Sequence, residues 1–221
     1  METSRKTDLI EIEDPAAGAM ERSQLYGFLA AVFRSEPTLD LLREIRKPDF
    51  KAALKAAGVD MESIFGGKPD GELISELAVE YARLFIGPGH HIAPYATLYF
   101  GDMGASLWGP VTSWVKGFIE EAGFDYKPDF HDLPDHVSVE LEFMQEITSR
   151  LAQARENGND DGVLELHRIE NEFLITHLGK WLPEFCDKIE AEAQLPFFAQ
   201  MALLTKNFLA EETTHAMTLS A

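Results

Sequence analysis

The chain has 221 residues, of which 45% are hydrophobic and 26% are charged, a composition typical of a globular protein with a buried core. Its 38 acidic residues outnumber its 19 lysines and arginines, and the formal net charge of −19 makes nucleic acid an unfavourable partner. The charge favours cationic partners, although it would also be expected if it served only solubility.

Residues 1–14 are predicted to form a polar leader that precedes one helical domain, residues 15–221. The leader has no apolar segment of the kind found in secretory signals. No run approaches 18 consecutive apolar residues, so we expect no direct insertion into a membrane. Cys186 is the only cysteine, which excludes an intrachain disulfide. These features predict a soluble, cytoplasmic protein.

Apolar residues recur at helical spacing along most of the domain, and no segment shows the period-two alternation of a strand. We therefore predict an all-α, single-domain bundle of about eight to ten helices. Thr38 and Asp70 are expected to be N-caps. If the bundle has two lobes, the irregular segments 90–100 and 124–136 are expected to connect them. The predicted helices cover about 15–33, 39–46, 48–58, 70–86, 106–122, 135–156, 162–178, 181–192 and 196–211.

The stretch 80–100 contains the most informative change of pattern. Tyr81, Leu84 and Phe85 continue an apolar helical stripe, and Gly87-Pro88-Gly89 is expected to end it, with glycine in the left-handed conformation. The following loop includes Pro94, Tyr95, Tyr99 and Phe100. A loop so rich in aromatic residues should either pack on the body of the protein or line a groove.

Several strings resemble catalytic or metal-binding motifs and fail on their spacing. Residues 157–162 imitate the start of a calcium loop, but Arg168 stands where a bidentate glutamate is needed. The Glu-x-x-His of a di-iron bundle occurs only at Glu212–His215, in a terminus expected to fray. Gly66-Gly67-Lys68-Pro69 lacks the other residues of a phosphate-binding loop. We predict no catalytic residue, cofactor or metal site.

Acidic residues and histidines cluster in the segment from Asp125 to Glu140. His136 and Glu140 are four residues apart and could share a metal on one helix face. Carboxylates at the start of a helix are also favoured by the helix dipole without any metal. The cluster consists of Asp125, Asp129, His131, Asp132, Asp135, His136 and Glu140.

Three motifs in order carry a resemblance to a known family. The first is Tyr81-x-x-Leu84-Phe85 with Gly87, the second is Pro94-Tyr95-x-Thr97-x-Tyr99, and the third runs from Leu133-Pro134-Asp135-His136 into Glu140. Together with His177-Leu178-x-x-Trp181 and the Phe197-Phe198 helix, they resemble the TorD/DmsD/NarJ family of redox-enzyme maturation chaperones. The resemblance spans about residues 24–209. It departs from the family pattern at Thr97, where serine is usual, and at the His90-His91 pair.

This resemblance implies a cytoplasmic chaperone for a molybdenum enzyme of the dimethyl sulfoxide reductase class. Such a protein binds the twin-arginine signal peptide, or a related N-terminal segment, of the catalytic subunit. It assists molybdopterin insertion and prevents premature export. The family's functional residues correspond to Tyr81, Leu84, Phe85, Asp135 and His136.

The residues agree with a ligand that presents arginines followed by an apolar stretch. Asp132, Asp135 and Glu140 could pair with guanidinium groups. Tyr81, Leu84 and Phe85, together with Pro94, Tyr95 and Tyr99, could receive the apolar stretch, although aromatic stripes at helical spacing also form cores. Asp135 has a competing role as the N-cap of the following helix. His136 also has a competing structural role, as a hydrogen-bonded connection between the lobes.

Two alternatives remain open from the sequence. One is an assembly factor of the NarJ type for an oxidoreductase that is not exported, whose ligand would be the catalytic subunit itself. The other is a metal- or nucleotide-dependent hydrolase. A homo-oligomer also remains open, because helical proteins of this kind can exchange elements between chains.

Overall fold

The regular structure of the described residues is helical, as predicted. A computed structural model describes residues 15–87, 89, 91–101, 107–126 and 132–219. The predicted leader, Pro88, His90, Asp129 and His131 lie outside these residues. The α-helices are α1 Pro15–Arg34, α2 Leu39–Ile45, α3 Pro48–Ala56, α4 Met61–Phe65, α5 Asp70–Tyr81, α6 Pro110–Glu121, α7 Val137–Glu156, α8 Asp160–Phe173, α9 Gly179–Glu192 and α10 Pro196–Leu219.

The long helices α1 and α7 pack along each other at the centre of the fold. Gly27 makes the close approach possible, since a Cβ at this position would lie 2.6 Å from the side chain of Gln145 on α7. The main hydrophobic core is continuous from Tyr26 on α1 to Ala216 on α10. The segment 91–101 and the stretch before α7 therefore lie over one core.

Several predicted helix ends differ from the observed ones, each for a local reason. Thr38 caps α2 as predicted, accepting a hydrogen bond from Leu41 N. Asp70 is not a cap, because it is the first residue of α5 and Pro69 precedes it. The helix expected from residue 106 begins at Pro110, because Trp108 has a φ of +66°, which a right-handed helix excludes. The short helix α4 was not predicted.

The helix that enters the central stretch ends differently from the prediction. α5 stops at Tyr81 and continues as one π-helical turn, Ala82–Ile86. Gly87 follows with φ −56° and ψ 158°, so it is extended and the expected left-handed glycine was wrong. A second π turn, Leu174–Leu178, joins α8 to α9. These turns rotate the side chains after them relative to a regular helix.

The C-terminal part of α10 is held by buried charges and does not fray as the sequence suggested. Glu212 is buried and accepts hydrogen bonds from Arg22 Nε at 2.8 Å and from the Tyr26 hydroxyl at 3.0 Å. Arg22 also pairs with Glu170 on α8. Because one guanidinium serves both carboxylates, this network ties α1, α8 and α10 together.

No helix within the described part of the chain is both long enough and apolar enough to cross a membrane.

Candidate functional site: a buried joint beside an acidic groove

Two segments far apart in sequence meet just before α7. Ala96 N donates to Asp135 O at 2.9 Å, and Val137 N donates to Pro94 O at 2.8 Å. These bonds form an isolated antiparallel bridge between Tyr95 and His136. We call residues 94–97 and 132–140 the joint. It brings together the second and third sequence motifs.

Asp135 lies inside the joint and fastens its two segments together. Its side chain is fully buried, and Oδ2 accepts a hydrogen bond from Thr97 N at 3.0 Å. Oδ1 has no hydrogen-bond partner among the described residues. The predicted alternative of Asp135 as the N-cap of α7 is wrong, because the carboxylate faces Thr97 and His136 occupies the cap position.

His136 caps α7 through its imidazole ring. Nδ1 accepts a hydrogen bond from Ser138 N at 3.2 Å and lies 2.8 Å from Ser138 Oγ. Burial lowers the pKa of His136, and the charge of Arg34 acts in the same direction, while Asp132 and Asp135 oppose the shift. A neutral ring with an unprotonated Nδ1 therefore fits both the geometry and the surroundings.

We expect acidification to destabilise the chain partly through His136. A histidine whose pKa is lowered on folding contributes stability above its ordinary value of 6.5, and that stability is lost as pH falls through the folded pKa. Replacement by asparagine, a good N-cap without this titration, should reduce the loss. Urea unfolding of the wild type and His136→Asn between pH 7.5 and pH 5 measures the difference. Parallel pH profiles would contradict the assignment.

Glu140 is part of the core rather than of a binding surface. It is fully buried; Oε1 lies 2.7 Å from His177 Nε2, and Oε2 accepts a hydrogen bond from Trp181 Nε1 at 2.9 Å. Burial raises the pKa of Glu140, although His177 and Trp181 favour its charged form. A ligand arginine could reach this carboxylate only by disrupting these bonds.

The structure gives no support to a metal shared by His136 and Glu140. His136 Nδ1 and both oxygens of Glu140 already have partners. Among the described residues, no group of three or more histidine, cysteine, aspartate or glutamate side chains is placed to hold a metal ion. Cys186 is fully buried, and burial raises the pKa of its thiol.

The first motif also lies in the core. Tyr81, Leu84 and Phe85 are buried, and the Tyr81 hydroxyl donates to Phe33 O at 3.1 Å. The ring of Phe85 lies within 6.5 Å of Phe33, 6.0 Å of Phe185 and 5.9 Å of Phe198. These side chains hold the helices in place and are not open to a ligand in this conformation.

The loop of the second motif packs on the body and leaves only part of its surface open. Pro94 is buried, whereas Tyr95 and Tyr99 are half-buried. The Tyr99 hydroxyl donates to Ala93 O at 3.1 Å, and its ring lies 4.2 Å from Lys188 Nζ. The Tyr95 hydroxyl donates to the exposed carboxylate of Asp132 at 3.3 Å. Asp132 is thus the predicted carboxylate that a ligand can reach.

A groove with a volume of about 950 Å³ opens beside Asp132. Its base is apolar, with Val139 and Phe143 largely buried, and four carboxylates of the described residues surround it. Two arginines, Arg34 and Arg150, also line it. The lining residues are Arg34, Ile119, Gly123, Phe124, Asp125, Tyr126, Asp132, Ser138, Val139, Glu142, Phe143, Glu146 and Arg150.

Sequence reasoning found two of the groove's carboxylates, Asp125 and Asp132, and missed the α7 side. The missed signal is periodic: Val139, Glu142, Phe143, Glu146 and Arg150 recur at steps of three, one, three and four and so lie along one face of α7. That face mixes apolar and charged residues, which is expected of a helix lining an open groove rather than facing a core or solvent alone.

Comparison with known proteins identifies the family. The sequence model described as "Nitrate reductase delta subunit" matches residues 47–187, which is more than half of the chain. The chain belongs to this family, the NarJ/TorD family. The matched range includes all three motifs, the joint and the groove face of α7.

Two TorD chaperones are similar to this chain over most of its length, and a third relative is similar to less than half of it. "Chaperone protein TorD" of Psychrobacter sp. (strain PRwf-1) is 25% identical over 187 residues, covering 79% of this chain and 82% of that protein. The TorD chaperone of Vibrio parahaemolyticus is 23% identical over 197 residues, which cover 83% of this chain and 89% of that protein. The "Perchlorate reductase assembly chaperone protein" of Dechloromonas aromatica is 30% identical over 95 residues, which cover 43% of this chain and 42% of that protein. Family membership makes the chain a redox-enzyme maturation chaperone rather than a catalytic enzyme.

Proposed function

We propose that the chain is a cytoplasmic chaperone that binds the twin-arginine signal peptide, or a related N-terminal segment, of a molybdoenzyme catalytic subunit. The client is of the dimethyl sulfoxide reductase class, and the chaperone holds it until the molybdopterin cofactor is inserted, which prevents premature export. The names of the TorD chaperones support the chaperone role, and the name of the perchlorate reductase assembly chaperone supports a reductase as the client.

The observation that carries this proposal is the groove beside the joint. Asp125, Asp132, Glu142 and Glu146 surround an apolar base in one depression of about 950 Å³. A segment with arginines next to apolar residues matches both parts of this surface, since guanidinium groups pair bidentately with carboxylates and apolar side chains need a base from which water is excluded. The net charge of −19 also favours the approach of a cationic segment.

The hydrogen bonds of the joint hold Asp132 in place beside the groove. Asp135 holds the backbone of Thr97, the adjoining Tyr95 donates to Asp132, and Asp132 stands at the groove. In this proposal Asp135 and His136 position the surface, while Asp132 touches the ligand. Glu140, Tyr81, Leu84 and Phe85 contribute through the core.

The test is calorimetric titration of the full chain with a twin-arginine signal peptide and with its Lys-Lys variant. We expect the arginine peptide to bind at least tenfold more tightly, because a lysine ammonium cannot form the planar fork that arginine presents to a carboxylate. Binding should weaken as salt rises, since exposed charges are screened over about 8 Å at physiological ionic strength.

A matched pair of variants locates the binding surface. Asp132→Asn should weaken the arginine peptide, whereas Asp187→Asn, which removes an exposed carboxylate on α9, should not. Equal affinity for the two peptides, or an equal effect of the two variants, would contradict the proposal. Absence of binding to either peptide would instead favour an assembly factor whose ligand is the catalytic subunit, which a pull-down of that subunit would test.

A further inference from the structure

Two of the chain's own arginines already pair with glutamates in the groove. Arg34, the last residue of α1, forms an ion pair with Glu142. Arg150 donates from Nε to Glu146 Oε1 at 3.1 Å. All four residues line the groove.

The second position has an aromatic component as well. The guanidinium carbon of Arg150 lies 3.8 Å from the centre of the Phe124 ring. Arginine is well suited to such a place, because its planar group can lie on an aromatic face while its N–H groups reach a carboxylate. The contacts of Arg150 therefore show that this part of the groove can bind a guanidinium group.

These internal contacts are exchangeable. The side chains of Arg34 and Glu142 are 45% and 49% exposed, and those of Arg150 and Glu146 are 40% and 52% exposed. Exposed ion pairs contribute little to stability, so a ligand can replace them at small cost. The two acceptors lie one turn apart on α7, about 6 Å along the helix axis. Adjacent residues of an extended peptide are about 3.4 Å apart, and long arginine side chains can span the remainder.

We propose that Glu142 and the Phe124–Glu146 pair are two guanidinium subsites, occupied by Arg34 and Arg150 in the free chain and by two arginines of the ligand in the complex. This inference rests on the proposed function. Arg34 and Arg150 are then competitors of the ligand, and they set both its affinity and its preference for arginine over lysine.

The experiment is titration of the wild type, Arg34→Gln and Arg150→Gln with the twin-arginine and Lys-Lys peptides. Each variant should bind the arginine peptide about two- to fivefold more tightly, the range expected when an exposed ion pair no longer has to be broken. The gain for the Lys-Lys peptide should be smaller. Arg168→Gln is the control, because it removes an equal charge that pairs with Glu165 and Glu172 on α8, outside this groove.

A double variant separates a subsite from a change of net charge. If Glu142 is the acceptor, Arg34→Gln should lose its gain when Glu142→Gln is also present. Unchanged or weaker binding of the arginine peptide by both single variants would overturn the inference, as would an equal gain from Arg168→Gln.

The outcomes also distinguish this inference from the proposed function. If the wild type binds the arginine peptide selectively and the variants show no gain, only the subsites are wrong. If the wild type and all variants fail to bind, the proposed function and the subsites fail together. If only the variants bind, both are supported, because the internal arginines then block the groove.

Discussion

Replacement of Glu140 by alanine is expected to lower the free energy of unfolding by about 3–5 kcal/mol, the cost of removing one partner from a buried charged or hydrogen-bonded pair. The change leaves His177 Nε2 and Trp181 Nε1–H without their acceptor inside the core, and it opens a cavity. Urea denaturation followed by the fluorescence of the tryptophans measures the effect.

Glu140→Gln is the matched variant for this prediction. Its side-chain carbonyl can still accept from Trp181, and its volume is almost the same, so we expect clearly less than half of the loss caused by alanine. A loss below about 1 kcal/mol in Glu140→Ala, which is the size of one ordinary hydrogen bond, would show that the carboxylate does not hold α7 against α9.

Replacement of Asp135 by alanine is expected to cost about 1–3 kcal/mol, because the buried Thr97 N–H loses its acceptor. Asp135→Asn keeps one side-chain acceptor and should cost less. Thermal unfolding measures stability, and titration with the arginine peptide measures the effect on the groove. If Asp135 acts by positioning Tyr95 and Asp132, Asp135→Ala should lose more affinity for the arginine peptide than Asp135→Asn does.

Two results would contradict this role of Asp135. Unchanged stability in the alanine variant would mean that the hydrogen bond to Thr97 does not hold the joint. Unchanged stability together with a large loss of affinity would mean that Asp135 contacts the peptide directly, which is one of the two roles that the sequence left open.

The helical architecture could be predicted because it depends on local pattern. Apolar spacing located the long helices, including α7 within two residues of its observed start at Val137. The caps were harder. Asp135 and His136 are both plausible before a helix, and only the bridge to residues 94–97 decides which one faces Ser138 N and which one faces Thr97.

The candidate site was less accessible to sequence reasoning for a physical reason. Glu140 looked like a surface carboxylate at the start of a helix, but its partners His177 and Trp181 are 37 and 41 residues away in sequence. The aromatic stripe at Tyr81 and Phe85 fitted either a core or a groove, and packing against α9 and α10 put it in the core. The groove requires the C-terminal ends of α1 and α6 to converge on one face of α7, which no single segment reveals.

The most direct test of the central claim is the methyl NMR spectrum of the chain during titration with the twin-arginine peptide. Ile119 and Val139 line the groove, whereas Val79 is 72% exposed on α5 and does not line it. We predict the largest shift changes at the methyls of Ile119 and Val139, with Val79 unchanged, and clearly smaller changes at Ile119 and Val139 with the Lys-Lys peptide at the same concentration. Saturable binding that leaves Ile119 and Val139 unchanged while shifting methyls elsewhere would contradict the assignment of this groove as the peptide site.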